Sequence, residues 1–103
     1  MPRKGIEEEP ELRVPMEGEI IGIVTRLLGY DRVLVKCEDL EVRLCRIPGR
    51  FKKKRWIREG DYVLVAPWDF QPNRADIIHI YRRDEVRRLI EQGYIKNLKP
   101  ETL

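Results

Sequence analysis

Between Arg43 and Arg58 the chain reads RLCRIPGRFKKKRWIR. This stretch holds eight cations (Arg43, Arg46, Arg50, Lys52, Lys53, Lys54, Arg55 and Arg58) and no carboxylate. The 103 residues carry 21 basic and 18 acidic side chains, a net charge of +3, so the balance outside this window is 13 against 18. The average hides a +8 segment set in a −5 remainder, and a polyanion docking on one face would meet the segment rather than the average. Positive charge at this density repels itself unless an anion relieves it. Phe51 and Trp56 are interleaved with the cations and each can offer a flat face to a base, which points to nucleic acid. Trp56 also reads as a core anchor, since large aromatics bury well. Lys52, Lys53, Lys54, Arg50 and Arg55 are the candidates for phosphate contact. Arg43 and Arg46 either extend the basic surface onto the body of the fold or are ordinary solvent-facing strand charges.

Other chemistry is poorly provided for. There is one histidine, His79, and no Ser-His-Asp order, HExxH or GxxxxGK[ST] pattern. Carboxylate pairs such as Asp69 with Asp76 could hold magnesium, but a chain with 18 carboxylates offers many such pairs. Cys37 and Cys45 lack CxxC spacing and fall in strand-like runs, so they read as buried thiols rather than zinc ligands. No catalytic residue, cofactor or metal is expected. No apolar run approaches the roughly 20 residues of a membrane span. The opening MPRKGIEEEPELRVP is charged and proline-broken, unlike a secretory signal, so a cytoplasmic protein is expected.

The elements that must position the basic segment are short and β-like. Residues 1–13 read as a flexible arm. EGEIIGIVTRLLG (17–29) is a long first strand whose Gly22 marks a bend of the kind a small barrel needs. RVLVKC (32–37) puts Val33 and Val35 opposite the charges at 32 and 36. EVRLCRI (41–47) sets Glu41 and Arg43 against Val42 and Leu44, with a bulge or strand end expected at Cys45-Arg46. The basic connection follows, with room for one helical turn over 51–57. DYVLVA (61–66) is a fourth strand, PWDFQPNR (67–74) a loop and ADIIHIY (75–81) a fifth strand. By alternation Tyr62 lies with Leu64, and Tyr81 with His79 and Ile77, which makes the tyrosines stacking platforms if they face outward. RRDEVRRLIEQGY is a short amphipathic helix with Asp84 as N-cap and Gly93 as C′ residue. The last ten residues are expected to be weakly ordered. The fold class is thus all-β. It is a five-stranded oligonucleotide-binding (OB) barrel over 14–82, with a helix at 83–93, flexible arms and a tail at 94–103, expected to be monomeric.

IPGRFKKKRWIREGDYVLVAPWDFQPNRADIIHIY resembles the central segment of the translation initiation factor 1A family, the archaeal and eukaryotic relatives of the bacterial initiation factor one. The basic run ending KKRWI, the GD opening strand four, VLV, the PWDFQ loop and ADII occur in the family's order, and the resemblance covers residues 14–82. It implies an S1-like OB barrel that binds the small ribosomal subunit at the decoding (A) site. There it would contact ribosomal RNA, block premature tRNA entry and work with other initiation factors. It also places Trp68 and Phe70 near the RNA face, where a stacked base is worth roughly 1–3 kcal/mol. As a residue, Trp68 reads equally as a lid on the barrel, and Asp69 as a turn residue accepting backbone N–H bonds. Two departures stand out. His79 takes a place where relatives often have an aromatic, and the end lacks the long acidic tail of eukaryotic members, which favours the archaeal branch. A general single-strand RNA-binding barrel of the cold-shock type would carry aromatics on strands two and three, where this chain has none beyond Tyr30. A barrel that meets an acidic protein partner is the remaining reading.

Overall fold

The computed structural model describes residues 11–29, 31–52 and 57–100. Five strands appear where glycine and proline punctuate the β-branched runs: β1 (Ile20–Leu27), β2 (Arg32–Cys37), β3 (Val42–Arg46), β4 (Tyr62–Pro67) and β5 (Arg74–Ile80). A helical turn, α1 (Gly49–Lys52), follows β3, and α2 (Arg83–Glu91) follows β5. The turn thus begins before the expected span, because Pro48 supplies the carbonyl that accepts the Phe51 N–H. The strands close into a barrel in the order β1-β2-β3-β5-β4, with only the β3–β5 pair parallel. This is the expected five-stranded OB arrangement.

Closure requires β1 to pair on both edges. At Gly22 it lies opposite Cys37 of β2 and Val63 of β4. A Cβ there would sit 2.3 Å from Val35 Cγ1 and 2.9 Å from the Lys36 carbonyl oxygen. The glycine therefore permits a close approach between strands, consistent with the bend expected at this position.

Two bulges set which side chains face inward. Thr25 is the extra residue where β1 pairs with β2, and Ile78 where β5 pairs with β4. The second corrects the simple alternation expected for β5. Ile77 and Ile80 both enter the inner core, since one inserted residue reverses the facing of everything beyond it. β3 needs a different correction. Arg43, Cys45 and Ile47 are buried while Val42 is 51% exposed, the reverse of the expected facing; at Cys45-Arg46 the strand ends, as one of the two expected outcomes had it, without a bulge. The β2–β3 register explains this, since it sets Cys45 opposite Val33 and Arg43 opposite Val35.

The inner core comprises Val24, Val33, Val35, Cys37, Cys45, Ile47, Ile57, Val63, Val65, Ala75, Ile77 and Ile80. Burial raises the thiol pKa of Cys37 and pushes that of Cys45 up to about 12, so both stay protonated packing groups.

A second core lies outside the barrel wall. Ile21, Tyr62, Leu64 and Tyr81 are covered by Leu89 of α2 and by Ile95 and Leu98 beyond it. Tyr62 and Tyr81 are therefore packed groups rather than stacking platforms. Tyr62 donates its hydroxyl to the Leu98 carbonyl and Tyr81 to the Arg13 carbonyl. Helix α2 begins at Arg82, whose N–H donates to Glu85 Oε1 at 2.8 Å, so Arg82 and not Asp84 is the N-cap. Its end matches expectation. Gly93 has φ +87°, its N–H reaches the Ile90 carbonyl and the Tyr94 N–H reaches that of Leu89, the Schellman pattern.

The chain on either side of the barrel is held too. The Glu38 carboxylate accepts backbone N–H bonds from Lys96, Asn97 and Leu98 at 3.0–3.1 Å. Leu12 and Val14 pack on the second core, and Arg13 makes a bidentate pair with Glu19. Residues 11–13 and 94–100 thus do not behave as the flexible ends expected from composition.

Two outcomes follow. Gly22→Ala should lose about 1–3 kcal/mol of unfolding free energy in urea titrations, because the intruding methyl meets backbone as well as a side chain. Deleting 94–103 uncovers Ile21, Tyr62 and Leu64 and removes two buried aliphatic side chains. At about 1.5–3 kcal/mol each, the cost should appear as a large fall in melting temperature. An unchanged melt would show that the tail is dispensable.

Candidate nucleic-acid interface

With β1, β4 and α2 sharing the second core, the outer face of β2 and β3 is left open. Arg32 and Lys36 are exposed there and Leu34 is half-buried. The register places Arg32 directly opposite Arg46, Leu34 opposite Leu44, and Lys36 opposite Val42. Two arginines facing each other across a ladder repel, a destabilising arrangement for an isolated hairpin. Arg74, at the start of β5, lies opposite Leu44 on the other edge of β3. Arg32, Leu44, Arg46, Trp68 and Arg74 line one small hollow. The only carboxylate paired with these arginines among the described residues is Asp76, 3.3 Å from Arg46 Nε, and the Arg46 side chain remains 55% exposed.

The loop between β4 and β5 borders this hollow. Its backbone closes on itself: the Trp68 N–H donates to the Arg74 carbonyl and the Arg74 N–H to that of Gln71, both at 2.8 Å. The Leu44 N–H, at 3.0 Å from the Asn73 carbonyl, ties the loop to β3. Asp69, expected to orient the loop by accepting N–H bonds, is exposed and accepts none among the described residues; the backbone does that work. Trp68 is half-buried, belongs to neither core, and has the Arg74 guanidinium 5.9 Å from its ring centroid. Phe70 is 96% exposed. A side chain of that size fully in water has no packing role.

The other expected site residues separate. Arg43 is neither a surface cation nor a solvent-facing strand charge. Its guanidinium is buried, pairs bidentately with Asp39 at 2.9 and 3.0 Å, and donates from Nε to the Pro72 carbonyl at 2.7 Å. The hydrogen bond from Arg43 is the main reason the Asp39 carboxyl is held below its usual range. The same bond raises the pKa of Arg43, which stays charged. Arg50 lies with its guanidinium 4.7 Å from the Phe51 ring centroid, and Phe51 packs against the inner core, so that ring is not a free platform for a base. Arg58 is exposed and lines a separate cleft with Tyr62 and Arg82. Lys52 ends α1, and Lys53, Lys54, Arg55 and Trp56 lie outside the described residues. The described residues include no cluster able to hold a metal ion and no helix long and apolar enough to cross a membrane.

Arg32, Lys36 and Arg74 are the site residues that composition did not reveal, because none lies in the dense window. The hairpin register would have found the first: a turn over residues 38–41 sets position 32 against position 46.

Comparison with known proteins gives one consistent result. A family model described as translation initiation factor 1A / IF-1 matches residues 9–102. The chain is 49% identical to translation initiation factor 1A of Metallosphaera sedula and 53% identical to that of Sulfurisphaera tokodaii. Each match runs over 98 residues, 92% of this chain and 91% of the relative. A solution structure of the translation initiation factor one from the Wolbachia endosymbiont of Brugia malayi is similar at 28% identity and a TM-score of 0.49. That match covers 69% of this chain and 85% of the other.

The Arg43–Asp39 pair generates a pH-dependent outcome. Asp39 has a lowered carboxyl pKa in the folded state. Its contribution is therefore present above the unfolded pKa of about 4 and is lost as pH falls through the lowered folded value. Arg43→Met should cost about 1–3 kcal/mol at neutral pH, since Asp39 can partly rehydrate. It should also flatten the loss of stability below about pH 4 in acid titrations, where the wild type loses this contribution.

Proposed function

Because the chain belongs to the translation initiation factor 1A / IF-1 family, whose members act in translation initiation without catalysing a reaction, we propose a specific mode of action for it. It binds the small ribosomal subunit at the decoding (A) site, holding ribosomal RNA against the outer face of β2 and β3 and the loop of residues 68–73. Bound there it excludes tRNA from the site until initiation is complete, and it works beside other initiation factors as a monomer.

The observation that carries this reading is the apposed pair Arg32–Arg46, which among the described residues has one carboxylate, Asp76 on Arg46, and which is flanked by Arg74 and Trp68 and bordered by the fully exposed Phe70. Phosphate oxygens relieve the repulsion between the two guanidiniums, which are planar donors suited to that geometry. A base stacked on Phe70 or against Trp68 gains apolar contact that water denies it. The lysines of the 52–54 run, with Arg50 and Arg55, add sequence-independent phosphate contacts. Leu34, Leu44 and Val42 in the middle of the face favour ribose and base edges over a purely ionic partner.

Sedimentation with purified small subunits tests the reading. Phe70→Ala should leave the unfolding free energy within about 0.5 kcal/mol of wild type, because the ring is in water. Subunit affinity should nevertheless fall about five- to a hundred-fold if a base stacks on it, the equivalent of roughly 1–3 kcal/mol. Replacing Lys52, Lys53 and Lys54 together by Glu should reduce the slope of log affinity against log salt by about two to three units. Normal binding by both variants would overturn the assignment. Binding that survives removal of the RNA by nuclease would point instead to an acidic protein partner.

A further inference from the structure

Residues 69–73 of the β4–β5 loop are all exposed. Among the described residues, two hydrogen bonds tie them to the barrel, and both donors come from consecutive residues of β3. The Leu44 N–H reaches the Asn73 carbonyl at 3.0 Å, and Arg43 Nε reaches the Pro72 carbonyl at 2.7 Å. Proline has no N–H, so its carbonyl is the one polar backbone group by which residue 72 can be held. Arg43 supplies that hold from inside. The residue is 9% exposed and stands opposite Val35, and its Nη1 and Nη2 donate to Asp39 at 3.0 and 2.9 Å.

Stability does not account for an arginine at this inward position. Taking a guanidinium and a carboxylate out of water is costly, and buried ion pairs are often replaced by well-packed apolar side chains without loss. Cys45 and Ile47, the next inward residues along this stretch, are apolar. What an aliphatic side chain lacks is a directed, charge-assisted bond to Pro72. Lysine lacks it too, since a single ammonium does not reproduce the planar fork that grips Asp39 on one side and Pro72 on the other. That bond acts on the segment carrying Phe70, which is 96% exposed and two residues before Pro72. A ring held in place beforehand loses less freedom when a base stacks on it. We propose that Arg43 is a positioning residue for RNA binding. It touches no RNA itself and sets subunit affinity by fixing Pro72, and through it the placement of Phe70 and Trp68 relative to the Arg32–Arg46 face. Asp39 orients the guanidinium from the other side. The proposal rests on the RNA-binding reading above.

The test uses the full chain, with affinity for purified small subunits measured across a salt series and thermal unfolding as the control. R43M alone leaves Asp39 without its partner and costs stability, so the decisive variant is D39N/R43M. It removes both charges together and keeps a side-chain acceptor at position 39 for the Glu41 N–H. It should melt close to the wild-type temperature, yet bind subunits about five-fold or more weakly, up to the full loss seen in F70A. Its salt slope should match the wild type, because Arg43 neutralises no phosphate; a direct contact would lower the slope by about 0.7–0.9. R43K, which keeps a cation beside Asp39, should not restore affinity. In the F70A background D39N/R43M should add a smaller loss than it does in the wild type, since one of the rings it places is gone. Wild-type affinity in D39N/R43M beside weakened F70A overturns the positioning role and leaves the main assignment standing. A lowered slope, full affinity in R43K, or losses that simply multiply with F70A each overturn it as well. Normal binding by both D39N/R43M and F70A overturns the main assignment together with it.

Discussion

The double pairing of β1 is the constraint on which the other features depend. A barrel of five strands has no free edge only if every strand pairs on both sides, and β1 can do so because Gly22 lets β2 approach within a distance that any Cβ would block. Closure then divides the barrel surface. The side carrying β1 and β4 is apolar on its outer face, with Ile21, Tyr62 and Leu64, and it is roofed by α2 and residues 95–98. The side carrying β2 and β3 is basic and stays open. One molecule of this size can therefore present an open basic face without exposing its largest apolar surface, since the roof covers that patch.

Charge compensation separates cations with a structural task from cations available to a ligand. Arg43 lies inside the dense basic window, yet its donors are occupied by Asp39 and Pro72, and it fastens the β2–β3 turn to the β4–β5 loop. That attachment, with the Leu44–Asn73 backbone bond, fixes the loop that presents Trp68 and Phe70. Arg32, Arg74 and Arg83 lie outside the window and have no carboxylate partner among the described residues. Sequence density identifies where positive charge collects; only the register and the hydrogen bonds identify which charges remain to be neutralised.

Much of the fold was legible because its signals are local. The β2 bounds, the five strand positions, the bend at Gly22 and the C′ role of Gly93 all follow from alternation and from glycine. What was misread depends on non-local pairing. The inward facing of Arg43 and Cys45 is imposed by β2, and the phase reversal at Ile78 by pairing with β4. The ordering of residues 94–100 depends on Glu38, nearly 60 positions earlier, whose carboxylate gathers three backbone N–H groups. For the site, the PWDFQ loop and the basic run were visible as motifs. The Arg32–Arg46 apposition was not, since it exists only once the hairpin register is set.

The turn between β2 and β3 links these levels. Within it, Glu38 holds the tail over the second core while Asp39, the next residue, holds Arg43 and through it the β4–β5 loop. Adjacent carboxylates thus brace opposite sides of the barrel. The same turn sets Leu40 at φ +71°, a left-handed conformation that a non-glycine residue adopts at some cost. Retaining leucine there, 56% exposed, means the turn geometry is enforced by its bonds: the Leu40 N–H to the Cys37 carbonyl, and the two carboxylates on either side of the barrel. A turn held from both directions also fixes the β2–β3 register, and with it the spacing of the two arginines that face each other on the open face.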